Sequence, residues 1–484
     1  IDSQPGKGFQ LALTPGDAKT ANLNGAVGST DPLGGLQLNA VADGSAMVNV
    51  NGTLEVQGNL GYSSDRGLDI TEGVTAAFNR GAVVGNFSGA GVIMSSAEPM
   101  TISDFLISGN GKDGIQVTGA NAATISGNII AGNGANGISV DAATKVSITG
   151  NTISNNGADG IVVKDSTQVV LTGNTLVGNG SDGVEVRNGQ DNSILSNSIT
   201  ASSGNGIFLD AARGVTIVGN DISGNGTSVS NKKVVGDGGT FNGNGIYANA
   251  AQDVSVITNT IAGNGIKAIA PESKEASTKV LANGIYAVDT TNLAVTANDI
   301  AGNGIDAADS AQLTVFSNGV FSDGSTPVQI TGNTISANGG DGVEVKNADD
   351  NAIRSNSIFG NGGKGISLSN GNADQPAPEV SSALLSPNGT LVVSGTVSPL
   401  IGYMNDFELQ VFYSPSSDAP NIQGRELIYT KSDVAAGPFS YSFTVPSPVV
   451  DGGFITATVT PTSGASNTSK FSDSAEVKKG SNSV

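Results

Sequence analysis

ITGNTISNNGADGIVV, residues 148–163, returns in altered form along much of the chain, and the interval of its return decides the fold. Aligned on the first Asn, the copies fall at Asn128, Asn151, Asn174, Asn197 and Asn220, each 23 residues after the last, with Phe105 in the same phase one copy earlier. Asn259, Asn298, Asn333 and Asn356 follow at spacings of 39, 39, 35 and 23, so the longer intervals are the same unit plus insertions. A fixed period of roughly 20–50 residues marks a solenoid. A unit of 23 is too short for most paired-helix repeats.

Inside the unit the apolar period is two, as in a strand. In DGVEVRN, Val184 and Val186 are apolar while Glu185 and Arg187 are polar. Ile161 and Val163 hold the same places one unit earlier, and Ile207 and Leu209 one unit later. A second apolar row runs Ile125, Ile148, Leu171, Ile194, Ile217, and a third Ile107, Ile130, Ile153, Leu176, Ile199, Ile222. Three inward rows per unit mean three short strands per coil, separated by Gly/Asn turns. Successive coils then pair in parallel, about 4.8 Å apart along the axis. The fold class expected is all-β, a parallel β-helix.

The Asn row is expected to be structural. Asn tolerates the left-handed turn conformation, and its amide can bond its own turn and the copies above and below. A second row, Asp113, Asn136, Asp159, Asp182, Asn205, keeps the same step. Stacked Asp residues can bind Ca²⁺, but Asn interrupts this row and no repeated GGxGxD signature accompanies it. Calcium is therefore the one cofactor left open, and no metal site is assigned.

Composition excludes much chemistry. The 484 residues include no Cys, His or Trp. Disulfides, zinc–thiolate sites and thiol nucleophiles are ruled out, and the commonest general base is missing. A net charge of −20 argues against nucleic acid and anionic membranes as partners. No apolar run approaches the roughly 18 residues of a membrane span, so no membrane insertion is expected. Few charges, no Cys and many Thr, Ser, Asn and Gly read as an extracellular or cell-surface protein whose signal peptide, absent from this chain, has been removed.

Units such as VSITGNTISNNGADGIVV resemble the right-handed parallel β-helix repeats of the pectate-lyase-like superfamily, including NosD-type and alginate-epimerase-type helices. The resemblance covers about residues 60–372 and implies the fold; the superfamily's functions range from lyases and hydrolases to tailspikes and adhesins. Residues 1–60 fall outside the register and read as an N-terminal cap or irregular β segment, the helix occupies 61–372, and NADQPAPEV places a linker at 373–380. Beyond it TLVVSGTVS, DFELQVFYS, ELIYTK, FSYSFTVP and FITATVTP read as a small β-sandwich over 381–477. NTSKFSDSAEV resembles the closing strand of bacterial Ig-like modules, and 478–484 reads as a tail.

Candidate sites lie where the pattern breaks. The outward position of the first strand carries Phe208, Tyr247 and Tyr286 in three consecutive coils, in a chain with only 15 Phe and 7 Tyr. The insertions before the two tyrosines, about 227–242 and 266–282, hold Lys232, Lys233, Lys267, Lys274 and Lys279. Such a patch suits a glycan, an assembly contact, or an aromatic ladder covered by its own loops. For an enzyme the best carboxylates are Asp182, Glu185 and Asp210, with Arg187, since glycoside hydrolysis takes two carboxyl groups. Against this, Asp141 beside Lys164 and Arg187 beside Asp210 set opposite charges one coil apart, as a surface ladder does, and Asp341, Glu344 and Lys346 repeat the same chemistry elsewhere. The expectation is therefore a secreted structural protein and not an enzyme. It would be the rigid building block of a filament, sheath, S-layer or adhesin, with itself or other surface components as partner. The alternative is a polysaccharide-binding or polysaccharide-cleaving β-helix.

Overall fold

The computed structural model describes residues 89–95, 99–226, 240–265, 278–304, 313–398, 406–417, 421–445, 449–464 and 466–480, and the backbone of eight short strands between residues 10 and 84. The chain divides into two compact units, Ile1–Ser228 and Val229–Val484.

In the first unit each coil contributes one strand to each of three parallel sheets. On the first face Ile138–Asp141, Ile161–Lys164, Val184–Arg187 and Ile207–Asp210 pair in steps of one coil, Ile138 with Ile161, Ile161 with Val184 and Val184 with Ile207. The second face is built in the same way from Ala123–Ser126, Ser147–Thr149, Val170–Thr172, Ser193–Leu195 and Thr216–Val218. The third stacks Phe105–Ser108, Ile129–Ala131, Thr152–Ser154, Thr175–Val177, Ser198–Thr200 and Asp221–Ser223. All three apolar rows read from the sequence are buried. Each buried Ile or Leu contributes about 2 kcal/mol by removal from water.

The corners are held by side-chain amides. Asn151 Oδ1 accepts both the backbone N–H and the Nδ2 of Asn128 at 2.9 Å, while Asn151 Nδ2 donates to the Ile125 carbonyl and to Asn174 Oδ1, each at 3.0 Å. Gly150 before it adopts a φ of 65°, a conformation that costs glycine little. Sequence reasoning missed a second amide row. Asn110, Asn133, Asn156 and Asn179 repeat the same bonding one corner on, with the Nδ2 of each donating to the next Oδ1 at 2.8–3.0 Å. Its signal was present, since each member stands five residues after a member of the first row's phase.

The second unit is built on the same coil motif, with steps of 39 and 35 residues before the 23-residue step returns. Ile246–Asn249, Ile285–Val288, Val320–Asp323, Val343–Lys346 and Ile366–Ser369 pair in parallel. The insertions return as a fourth, three-stranded parallel sheet of Thr240–Asn242, Thr278–Leu281 and Leu313–Phe316. Seven further strands form the C-terminal sandwich: Glu379–Leu385, Thr390–Val397, Phe407–Ser414, Glu426–Val434, Gly437–Thr444, Phe454–Pro461 and Ala475–Lys479. Ala475–Lys479 pairs parallel with Glu379–Leu385 and antiparallel with Phe454–Pro461, so it joins the two layers around a core that includes Val393, Phe407, Leu409, Ile455 and Val459. The all-β class, the parallel β-helix and the sandwich are as expected from the sequence.

Candidate functional site

The acidic row of the first unit is a corner device before it is anything else. Asp182 N donates to Asp159 Oδ1 at 2.7 Å, and Asp182 Oδ1 accepts from Asn205 N at 2.6 Å and Asn205 Nδ2 at 3.0 Å. Glycine on either side permits the close approach. A Cβ on Gly183 would meet Ile199 Cγ2 at 2.2 Å, and one on Gly204 would meet Asp182 Oδ1 at 2.5 Å. The row's oxygens thus serve backbone N–H groups, and among the described residues no group of three or more acidic side chains is arranged to hold a metal ion.

Around Asp182 this device becomes electrostatically unusual. Asp182 is 8% exposed and Glu185, on the outward side of Val184–Arg187, only 5%. Glu185 stands between Val162 and Phe208 in the strand register, and Arg187 Nε donates to its Oε1. Burial, then the neighbouring Asp159 and Glu185, push the Asp182 carboxyl up to about 7, against the opposing hydrogen bonds from Asn205. Burial and Asp159 also raise Glu185, while Arg187 pulls it back toward the ionised form and Asp210 raises it further. The corner therefore combines a carboxyl group able to hold a proton near neutral pH with a second one whose bonded cation favours its ionised form against burial. Asp210 is paired in register with Arg187, but the salt bridge of Arg187 runs along its own strand to Glu185. Of the surface ladder, Lys164 stands 3.8 Å from Asp141, both about half in solvent.

The second unit holds the repeated motif in different company. Asp341 N donates to Asn318 Oδ1 at 2.7 Å, and Asn318 Nδ2 donates to Glu344 Oε2 at 2.9 Å. Lys346 turns to Asp323 of the preceding coil at 3.7 Å. Burial raises both Asp341 and Glu344, but Asn318 is a neutral donor in the place that Asp159 occupies in the first unit.

The aromatic residues of the second unit form a covered stack. Tyr286, 5% exposed, lies 5.0 Å from Tyr247 and 5.1 Å from Phe321 between ring centroids. Leu281 of the fourth sheet packs on these rings, and Lys279 Nζ stands 5.0 Å over Phe316 and 5.9 Å over Tyr286. Burial, together with Tyr247 and Asp323, pushes the Tyr286 hydroxyl up to about 12. Phe208 is half-buried in the first unit. Lys232, Lys233, Lys267 and Lys274 lie outside the described residues. The first-unit members of the Asn row, Asn128 to Asn220, and the second-unit members, Asn259 to Asn356, are all buried.

A family model described as right handed beta helix region matches residues 88–239 and 228–382. No curated protein sequence matches the chain. Among solved structures, the A-module of Azotobacter vinelandii mannuronan C-5 epimerase AlgE6 is similar over 75% of this chain and 90% of that one, at 17% identity and a TM-score of 0.33. The Dettilon tailspike protein is similar over 90% of this chain and 86% of that one, at 13% identity and a TM-score of 0.43. The periplasmic alginate epimerase AlgG is similar over 74% and 76%, at 13% identity and a TM-score of 0.39. These are likenesses of fold.

Two expectations are corrected here. Opposite charges one coil apart were one ground for expecting a structural building block without activity, yet Arg187 bonds Glu185 along its own strand. The repetition of DGVEV was the ground for reading its carboxylates as structural only, and the two copies have unlike surroundings. Neither the filament reading nor the absence of enzymatic activity stands on those grounds.

Proposed function

The chain belongs to the right-handed β-helix family, and from that premise we propose that it is a polysaccharide-binding and polysaccharide-cleaving protein, hydrolysing a neutral glycan at the corner that carries Asp182 and Glu185. The observation that carries this reading is the placement of Asp182, buried against Asp159 and Asn205, beside a Glu185 that is paired with Arg187. Glycoside hydrolysis needs one protonated and one ionised carboxyl group flanking the scissile bond. In this reading Asp182 gives its proton to the leaving glycosidic oxygen. Glu185, bonded to Arg187, acts as the carboxylate on the sugar carbon directly or through a water. Phe208 stands one strand along, opposite Glu185 in the register. The reaction requires no cofactor.

Charge decides the substrate class. Asp159 and Asp210 both bear on Glu185 beside Arg187, and the chain carries a net charge of −20. A uronate polymer would add negative charge to this corner, and elimination or epimerisation would need that charge neutralised. A neutral polysaccharide meets no such penalty. An extracellular place of work belongs to the same proposal and rests on the charge-poor, Cys-free composition; no helix among the described residues is long and apolar enough to cross a membrane.

The test is incubation of the full chain with a panel of neutral polysaccharides and with alginate and pectin, reading new reducing ends and the ultraviolet absorbance of unsaturated products. Reducing ends from a neutral glycan without that absorbance are expected. Unsaturated product from alginate or pectin would replace hydrolysis by elimination, and an unchanged panel would reject cleavage.

A further inference from the structure

The sandwich completes the hydrogen bonding of the last coil in the second unit as though it were the next coil. Asn338 shows the ordinary arrangement, its N–H and Nδ2 donating to Asn361 Oδ1 at 3.0 and 2.9 Å. Asn361 has no further coil to donate to. Its N–H and Nδ2 instead go to Gln423 Oε1, at 3.0 and 2.9 Å, and Gln423 Nε2 donates back to the Asn361 carbonyl at 2.9 Å. A glutamine from the sandwich thus stands in for the next asparagine.

The substitution extends around the coil. On the second face Ile353 N donates to Thr468 Oγ1 at 2.9 Å, and Ser355 N to Gln410 Oε1 at 2.8 Å. At the corner before it Asp350 N donates to Asn467 Oδ1 at 2.6 Å. On the third face Ile358 N donates to the Gly424 carbonyl at 2.8 Å, and beyond the next corner Gly365 N to the Ile422 carbonyl at 3.0 Å. Phe471 seals the junction. A Cβ on Gly365 would come within 2.6 Å of its ring and one on Gly424 within 2.4 Å, so both positions need glycine for the surfaces to meet.

An open coil end is a row of unpaired amides and carbonyls, and such an edge recruits another edge. We propose that the sandwich is a stop for coil stacking: Gln410, Gln423 and Thr468 occupy the ladder positions through which the last coil would otherwise pair with the same edge of a second copy of this chain. The partner excluded is thus a self-complementary copy related by a two-fold axis. This inference is independent of the glycan reading.

Full-chain variants test it. Gln423→Ala removes the acceptor of the Asn361 N–H and is expected to raise amide hydrogen exchange there by about tenfold. The triple variant Gln410→Ala, Gln423→Ala, Thr468→Val is expected to sediment as a larger species than wild type, increasingly so with concentration. Gln423→Glu keeps the acceptor for Asn361 and is expected to sediment as wild type does. Unchanged exchange at Asn361 in Gln423→Ala overturns the proposal, and so does a folded triple variant that sediments as wild type at every concentration. If the triple variant does not fold, Gln423→Ala is sedimented in its place under the same criterion.

Discussion

Asp182–Asn188 and Asp341–Asn347 read DGVEVRN and DGVEVKN, and each opens the first-face strand of its coil, yet they differ in what lies one coil before them. Asp159 precedes the first copy and Asn318 the second; both accept a backbone N–H at 2.7 Å, and only one carries a charge. The second copy therefore relaxes into a neutral hydrogen bond from Asn318 to Glu344 and an ion pair from Lys346 to Asp323. The first keeps its repulsion and turns its only cation back onto Glu185. In a solenoid the environment of a motif is written in the neighbouring coil, so near-identical strings need not do identical things.

The largest expected effect separates the copies by activity. Asp182→Asn or Glu185→Gln should lower hydrolysis of the neutral glycan by about 10²–10⁴-fold, the usual contribution of a positioned acid or base. Asp341→Asn should leave it at the wild-type rate. Reducing-end kinetics on the three proteins would break the comparison if Asp341→Asn lost as much as Asp182→Asn.

Packing around the copies should differ by less. Phe321 precedes Glu344 in the register and is buried at 2% exposure against Tyr286 and Phe316. Phe321→Ala should cost about 3 kcal/mol in denaturant unfolding. Phe208, which follows Glu185 and is half-buried, should cost about half as much on the same truncation. Equal losses would mean that the two outward faces are packed alike.

The ion pairs come next. Arg187→Ala leaves the buried Glu185 without its partner and should cost about 1–2 kcal/mol. Lys346→Ala removes a partly exposed pair from a Glu344 that keeps Asn318, and should cost under about 0.5 kcal/mol. Thermal melts of both variants at low and high salt would sharpen the contrast.

How much of this was legible beforehand follows from the period. The rows through Ile148, Ile153 and Ile161 are inward because side chains alternate along a strand, and any reader of the 23-residue step recovers them. Asn133, Asn156 and Asn179 obey the same step five residues on and hold the next corner. Subtracting 23 from 182 and from 341 finds Asp159 and Asn318, so even the contrast between the copies was written in the chain. What no spacing announces is the return of Thr278–Leu281 over Tyr286, or the fit of Gln423 to Asn361, since both depend on segments outside the period. The open aromatic platform considered for Tyr286 needed that third dimension to be seen as covered.

pH separates the copies through linkage. Asp182 rises from the ordinary 3.8 to about 7 in the folded chain, so between those values the fold holds a proton that the unfolded chain has lost. Its contribution favours folding most below about pH 4 and is lost as pH rises through 7. The stability of wild type relative to Asp182→Asn should fall across that window and level off above it. Asp341→Asn should show a smaller change of the same sign.

The most direct measurement is a carboxyl ¹³C NMR titration of Asp182 in wild type and in Asp159→Asn, a change that keeps an acceptor for Asp182 N and removes only the charge. A midpoint near 7 in wild type that moves toward the ordinary carboxylate range in the variant is the predicted result. A wild-type midpoint near the ordinary value, or one that ignores the loss of Asp159, would contradict the claim that the neighbouring coil makes this corner a proton donor.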